Sequence, residues 1–411
     1  MNTITVEDTL GLSFCERLPL AFTHGAGTRV WDEAGKSYLD FTSGWGVTCL
    51  GHAHPVIVSA IARQAARLMQ SPNAGFSYSP ERAALLTKLH QVLPPTLHRS
   101  YFCNSGAEAN DAVLKLARKI TGRRKVLSTR GAFHGRTLQT FALSRDADNS
   151  KRFVSQVDGI GFVPYADLAA LDAALDDDTA AVIVEPVQGE GGVQIPPTDW
   201  LLGVQTLCRR HGALLIVDEV QTGFCRTGKF FALEHAGPQL APDMLTLGKG
   251  IAGGFPFAAF AVSAQVAAQL ERDDHGGTYC GNPLGCAVAH AVIDHLHSTQ
   301  VAEQVATSGQ VLLHGLQTLQ QHWPNMVRAP RGLGLLCALE CHDPTLSGQL
   351  TRHCAVLGLL VVPTRNGIIR LLPDLLVSHT DIARALTILD QALAELAATT
   401  NGQVPLSSMA T

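Results

Sequence analysis

Charge is scarce in this 411-residue chain. Only 16% of its residues are Asp, Glu, Lys or Arg, the formal net charge is −4, and no basic block interrupts it. Nucleic acid is therefore not an expected partner, because binding it requires a clustered cationic face. Paired cysteines are missing as well. Ten cysteines are scattered without a CxxC pair, and the tightest spacing, Cys337 to Cys341, has no paired histidines to complete a zinc pattern. No metal is expected, and the cysteines read as small core residues in a reducing compartment. The start, MNTITVEDTLG, lacks a basic region followed by an apolar one, so no secretory signal is expected. The longest uncharged run, Gly250–Leu270, is broken by Gly253, Gly254, Pro256, Ser263, Gln265 and Gln269. It reads as a loop, a core strand and a helix start rather than a membrane span. No internal repeat and no low-complexity tract occurs. What is present is ample apolar material, 46% of the chain, which suits a soluble, cytoplasmic globular protein with a large core.

The informative stretch is Ala213–Phe257. Within it, the apolar run Leu214–Val217 ends in Asp218-Glu219, and Met244–Leu247 ends in Gly248-Lys249-Gly250. Two buried strands ending in opposite charges place an acid and an amine at the carboxyl edge of a parallel sheet, where ligands bind in such folds. The pair suits pyridoxal phosphate (PLP). Lys249 would bond the aldehyde, and Asp218 would pair with the pyridinium nitrogen so that the ring draws electrons. Desolvation favours the nucleophilic neutral amine of a buried lysine. A structural ion pair is the plain alternative, but both residues close apolar runs, where an isolated charge is costly.

Taken in order, the chain alternates strands and helices. Arg29–Trp31 and Ser37–Leu39 flank Asp32-Glu33-Ala34-Gly35 as a β-hairpin. His52 and His54 sit in a turn before a helix over Val56–Gln70, and are read as hydrogen-bonding residues, since no third metal ligand lies near. A strand over Arg99–Cys103 leads to Asn104-Ser105-Gly106-Ala107 and a helix to about Ile120. Free N–H groups at that helix start form an anion site, so the PLP phosphate is placed on Ser105, Gly106 and Ala107. An ordinary N-cap is the alternative for Ser105. The near P-loop Gly223–Lys229 lacks the Ser or Thr that a magnesium nucleotide needs, because Phe230 follows the lysine. A long helical stretch over Ala287–His322 precedes helix Leu350–Gly358, strands Leu359–Pro363 and Ile368–Leu372, helix Thr380–Ala397 and a frayed tail from Thr399.

VDEVQTGFCRTGKFFALEH followed by PDMLTLGKGIAGGFP resembles the signature of class III (omega-type) PLP-dependent aminotransferases. WDEAGKSYLDFTSGWGVTCLGHAHP, FCNSGAEANDAVLKLAR, AFHGRT, VIVEPVQGEGG, GGTYCGNPLGCA and RGLGLL match in the same order, from about Trp31 to Leu375. Within the class, the likeness is to acetylornithine and ornithine aminotransferases. The resemblance implies an α/β fold, the aspartate aminotransferase-like fold type I. A large, mostly parallel sheet domain would span 41–290, with a smaller α+β domain formed by 1–40 and 291–411. It also implies roles. Phe133 would stack on the cofactor ring and Gln221 would bond its 3-hydroxyl oxygen. Arg136 would grip a substrate carboxylate through its planar fork. Glu190 and Arg370 would form an ion pair that opens for a carboxylate-bearing partner and closes for an amine without one. Thr278 would reach the phosphate of a second subunit, making the enzyme a homodimer with its active site at the subunit interface. Without the family context, core packing would be the reading for Phe133 and a salt bridge the reading for Arg136 and for Glu190–Arg370.

By the same resemblance the expected reaction moves the terminal amine of an acylated or free diamino acid, first N2-acetylornithine, to 2-oxoglutarate. Trp45, in Thr42-Ser43-Gly44-Trp45-Gly46, departs from the acetylornithine pattern, which has a smaller aliphatic residue there. Ornithine, 4-aminobutyrate and hydrophobic omega-amines therefore stay open as donors. A racemase or mutase reaction on the same scaffold stays open too, as does a non-catalytic binding protein.

Overall fold

The computed structural model describes residues 2–144 and 157–400. The expected frayed tail falls mostly on residues 401–411, outside that range. Seven strands form the central sheet, in the order Leu97–Cys103, Ala258–Ser263, Met244–Leu247, Leu214–Asp218, Thr179–Val184, Lys125–Thr129, Ile160–Val163. Ala258–Ser263 runs antiparallel to both of its neighbours, and the remaining pairs are parallel. All six residues of Thr179–Val184 are buried. Such a strand has helices on both faces, so its sequence, TAAVIV, is continuously apolar rather than alternating.

Helix Gly106–Thr121 shows how one segment is fixed. Ser105 caps it by accepting from the Glu108 amide, and Gly122 ends it at φ +67°. Ala109, Val113, Leu116 and Ala117 recur at helical spacing and face the sheet. The Cβ of any other residue at Gly106 would sit 2.6 Å from Val220 Cγ1, so only glycine lets this helix start so close to the strand ends.

Two four-stranded sheets complete the fold. In one, Phe22–Ala26, Arg29–Asp32 and Ser37–Asp40 form an antiparallel meander closed by Leu359–Leu360, which runs parallel to Ser37–Asp40. The predicted hairpin is found in register, with Val30 opposite Tyr38. The other sheet orders Val327–Leu333, Leu336–Cys341, Ile368–Leu371 and Val362–Pro363. The segment expected as one strand, Leu359–Pro363, is thus shared between two sheets. The helical stretch expected over Ala287–His322 is two helices, Pro283–Ser298 and Val301–His322, broken where Gln300 adopts φ +52°. The helix expected at Leu350–Gly358 starts earlier, at Pro344, because Asp343 caps it and proline suits the first turn. Gly223–Lys229 is not an anion loop. Phe224, Cys225 and Arg226 are buried, and Arg226 Nη1 donates to the carbonyls of Leu335 (2.9 Å) and Pro373 (2.7 Å). Burial pushes the Arg226 pKa down to about 10. No helix among the described residues is long and apolar enough to cross a membrane.

Candidate active site

The carboxyl ends of five strands converge on one cavity of about 250 Å³. It is lined by Gly106, Ala107, Phe133, Arg136, Glu190, Asp218, Gln221 and Lys249, eight of the residues singled out in the sequence, together with five others. Asp218 is the last residue of its strand and is buried. Three donors fix its carboxylate. Val220 N donates to Oδ1 at 2.9 Å, while Asn110 Nδ2 (2.7 Å) and His134 Nδ1 (2.8 Å) meet at Oδ2. Oδ1 keeps a lone pair for a further donor. Asn110 is held in turn, because its Oδ1 accepts from Thr246 Oγ1 at 2.6 Å.

Lys249 follows the next strand, Met244–Leu247, and opens a short 3-10 turn at φ +44°. A side-chain-bearing residue in that left-handed region costs roughly 1–3 kcal/mol, and such strain concentrates at functional positions. Burial of the amine lowers its pKa, and of the nearby charges Glu190, Asp218 and Glu185 oppose that shift while Arg370 adds to it. The side chain is half-buried because its free surface faces the cavity.

The far wall carries the predicted ion pair. Arg370 Nη2 lies 2.5 Å from Glu190 Oε1, and Arg370 itself is buried. Arg370 Nη1 also donates to Gln221 Oε1 at 3.1 Å, leaving the buried Gln221 Nε2 and Arg370 Nε without partners. One glutamine thus connects the arginine to the cavity floor. A Cβ at Gly189 would stand 1.5 Å from Gln221 Oε1, so glycine is required there for the glutamine to reach the arginine. Arg136 is exposed and lies over the Phe133 ring, 5.8 Å from its centroid. Ser105 is exposed, with its hydroxyl engaged in the helix cap, while Gly106 and Ala107 line the cavity. Trp45 and Thr278 are both exposed and do not line the cavity within one chain. Trp45 sits in a run of left-handed residues, Ser43 to Gly46.

Three residues around Asp218 and Phe133 were not singled out in the sequence. His134 and Asn110 hold Asp218. Glu185 accepts from the Phe133 amide at 3.0 Å and has its pKa raised by burial from 4.5 to about 7. The signal for Glu185 was present, since it ends the apolar strand Thr179–Val184 as Asp218 ends its own. Glu219 is also buried, and its pKa rises from 4.5 to about 7 for the same reason, though it bonds to Thr222 Oγ1 and Leu233 N instead. Between about pH 4.5 and 7 the folded chain then holds protons that the unfolded chain has released. Stability from these groups is therefore largest below pH 4.5, falls as pH rises to 7 and levels off above it. Glu219→Gln is expected to flatten that fall, as read from melting temperatures across the window. An unchanged slope would assign the titration to other groups.

The residues present fit PLP. A helix start offers N–H groups to a phosphate, a fixed carboxylate faces the cavity, an amine of lowered pKa shares it, and an unpartnered amide donor points at neither protein acceptor nor solvent. The model of the family described as aminotransferase class-III matches residues 15–393, and the chain belongs to that family. It is a PLP-dependent aminotransferase of fold type I, acting on a small-molecule amino donor and a keto-acid acceptor. The acetylornithine aminotransferase of Methanothermobacter thermautotrophicus is 40% identical over 92% of this chain and 95% of its own length. The ornithine aminotransferase of Toxoplasma gondii, in a structure with partial PLP occupancy at the active site, aligns at a TM-score of 0.88 with 32% identity, covering 95% of this chain and 94% of that one. Acetylornithine aminotransferase from Elizabethkingia anophelis aligns at 0.84 with 31% identity, covering 95% and 98%.

Proposed function

We propose that this enzyme moves the terminal amine of N2-acetylornithine, or of a similar acylated or free diamino acid, to 2-oxoglutarate. The observation that carries the reading is the convergence of Lys249, Asp218 and the start of helix Gly106–Thr121 on one cavity lined also by Glu190, which is paired with the buried Arg370. The substrate rests on the names of the relatives above. Bound PLP supplies the electron sink and takes up the amino group. Lys249 would hold the cofactor and, once released, move the proton at the substrate carbon, a task that desolvation of its amine favours. Asp218, kept in place by Asn110, His134 and the Val220 amide, would pair with the pyridinium nitrogen. Phe133 would cover the ring, Gln221 Nε2 would donate to its 3-oxygen, and Ser105, Gly106 and Ala107 would take the phosphate.

The two half-reactions need different charges at one wall. With Arg370 paired to Glu190, the pocket is neutral there and accepts the neutral end of an acylated amine. With Glu190 withdrawn, Arg370 meets a carboxylate of the keto acid, and Arg136 takes the other. The test is to mix PLP-loaded enzyme with single donors, without keto acid, and follow the cofactor spectrum. Fast conversion by N2-acetylornithine is expected. Slow conversion by it alongside fast conversion by 4-aminobutyrate or an arylalkyl amine would overturn the donor assignment and make Trp45 the specificity residue.

The same proposal includes a homodimer. Leu68, Met69, Phe76, Tyr78 and Tyr279 are all exposed. They lie on two adjoining segments, which Gln70 Nε2 bonds together at Thr278 O (2.5 Å). Exposed apolar side chains on adjoining segments favour an interface there, and Thr278 lies on one of those segments, as a phosphate contact to a second subunit requires. Light scattering at micromolar concentration should give twice the chain mass, and a monomer that retains full activity would refute this. Ten free thiols suit a reducing cytoplasm. The same reading divides the chain into a large domain over 41–290 and a small one from 1–40 and 291–411, which is supported by the completion of the N-terminal meander by Leu359–Leu360.

A further inference from the structure

Behind the helix start that carries Gly106, four potential ligands meet from two distant parts of the chain. Cys103 ends strand Leu97–Cys103, and Glu108 is the third residue of helix Gly106–Thr121. His275 and Cys280 flank the Gly-rich turn Gly276-Gly277-Thr278-Tyr279. One donor atom from each of Cys103, Glu108 and His275 lies within 4.8 Å of the other two. The Cys280 thiol donates to Glu108 Oε1 at 3.3 Å. We propose that Cys103, Cys280, His275 and Glu108 form a zinc-binding site that fastens the Thr278 turn to the start of helix Gly106–Thr121.

The donor set is of the zinc kind, with two thiols, one imidazole and one carboxylate. Zn–S and Zn–N bonds of about 2.3 and 2.0–2.1 Å imply tetrahedral edges of roughly 3.3–3.8 Å. Cys103, Glu108 and His275 already have donor atoms within 4.8 Å of one another, and Cys280 Sγ reaches Glu108 Oε1 at 3.3 Å, so the four ligands would draw together around a metal. The outer contacts orient the ligands as metal sites require. Glu108 Oε2 accepts from Asn104 N (2.8 Å) and Asn104 Nδ2 (3.0 Å), which leaves Oε1 turned to the sulfur. The His275 ring is packed edge-on against Tyr101 at 5.3 Å and tilted against Phe260 at 5.9 Å. Its Nε2 is buried and has no partner, an unusual state for a polar atom unless a ligand is to fill it. Nδ1 lies 3.1 Å from Lys115 Nζ, the one cation against the cluster among the described contacts. Zinc binding would release the protons of both thiols to solvent, with no change of oxidation state. A capping carboxylate beside two core cysteines is the plain alternative, but it leaves Nε2 unexplained.

The site stands independently of the transamination reading, and its test does not use turnover. Untagged holoenzyme, stripped with chelator, would be titrated with Co²⁺. One equivalent should give d–d bands in the red, clear of the PLP absorbance, and sulfur-to-metal charge transfer in the near ultraviolet. Cys280→Ser and, separately, His275→Ala should each weaken binding at least ~10-fold, the lower end of what loss of an orienting or ligating group costs. Zinc should displace the cobalt and raise the melting temperature of the wild type more than that of either variant. Absence of the red bands, or bands unchanged in both variants, would overturn the proposal. A Cys103–Cys280 disulfide mapped in freshly isolated protein would overturn it too.

Discussion

Lys249→Ala is expected to lower kcat/KM for any amino donor by ~10³-fold or more, because it removes both the group that holds PLP and the base that moves the proton. The fold should persist. The side chain points into a cavity, and its lowered pKa means that the folded state pays for keeping the ammonium there. That cost is full below the depressed pKa and fades as pH rises to the ordinary lysine value, and alanine removes it. The melting temperature of cofactor-free Lys249→Ala should therefore equal or exceed that of cofactor-free wild type. The cofactor should still bind through its phosphate and ring, but its spectrum should be that of the free aldehyde. Turnover at the wild-type rate would show that another amine performs the chemistry.

The second large effect is expected at Asp218. Asparagine there is nearly isosteric but cannot satisfy the three donors that converge on the carboxylate. With its oxygen toward Asn110 and His134, its amide group faces the Val220 N–H; with the oxygen toward Val220, it faces two donors. At least one buried donor is left unmet in either orientation, at about 1–3 kcal/mol each. The variant also loses the charge opposite the pyridinium nitrogen. Removing one preorganised electrostatic partner costs ~10²–10³-fold in kcat, and a loss in that range or beyond it is expected. Equilibrium dialysis of PLP should show weaker binding as well. Retained kcat with only a weaker cofactor affinity would reduce Asp218 to a binding residue.

Much of the site was legible because its parts are strand ends. Asp218 and Lys249 each follow a buried apolar run, and parallel sheets put such ends at one edge, so the sequence placed both in one cavity without knowledge of strand order. Glu190, Phe133 and Gln221 entered through family resemblance, and the fold brings them to the same place. His134 and Asn110 escaped notice for a physical reason. Their contribution is a hydrogen bond across the fold to Asp218, and a histidine or asparagine in a helix or loop carries no local mark of that. The Cys103–Cys280 neighbourhood escaped for the same reason, since its halves lie on a strand end and a loop that meet only when the sheet is built. Trp45 and Thr278 lie off the cavity within one chain, where sequence spacing could not place them. The break at Gln300 was missed because apolar periodicity continues on both sides, and one left-handed residue changes direction without changing composition.

The meander at the N-terminus has a consequence for synthesis. Ser37–Asp40 is an open edge until Leu359–Leu360 arrives, and Lys36 Nζ reaches the Val356 carbonyl 320 residues further on. At about 5–20 residues per second, the ribosome leaves that edge unpaired for tens of seconds. An exposed strand edge is a template for other chains. Nascent chains of this enzyme therefore pass through a long interval in which chaperone capture competes with aggregation, and fragments ending before residue 359 carry that hazard permanently.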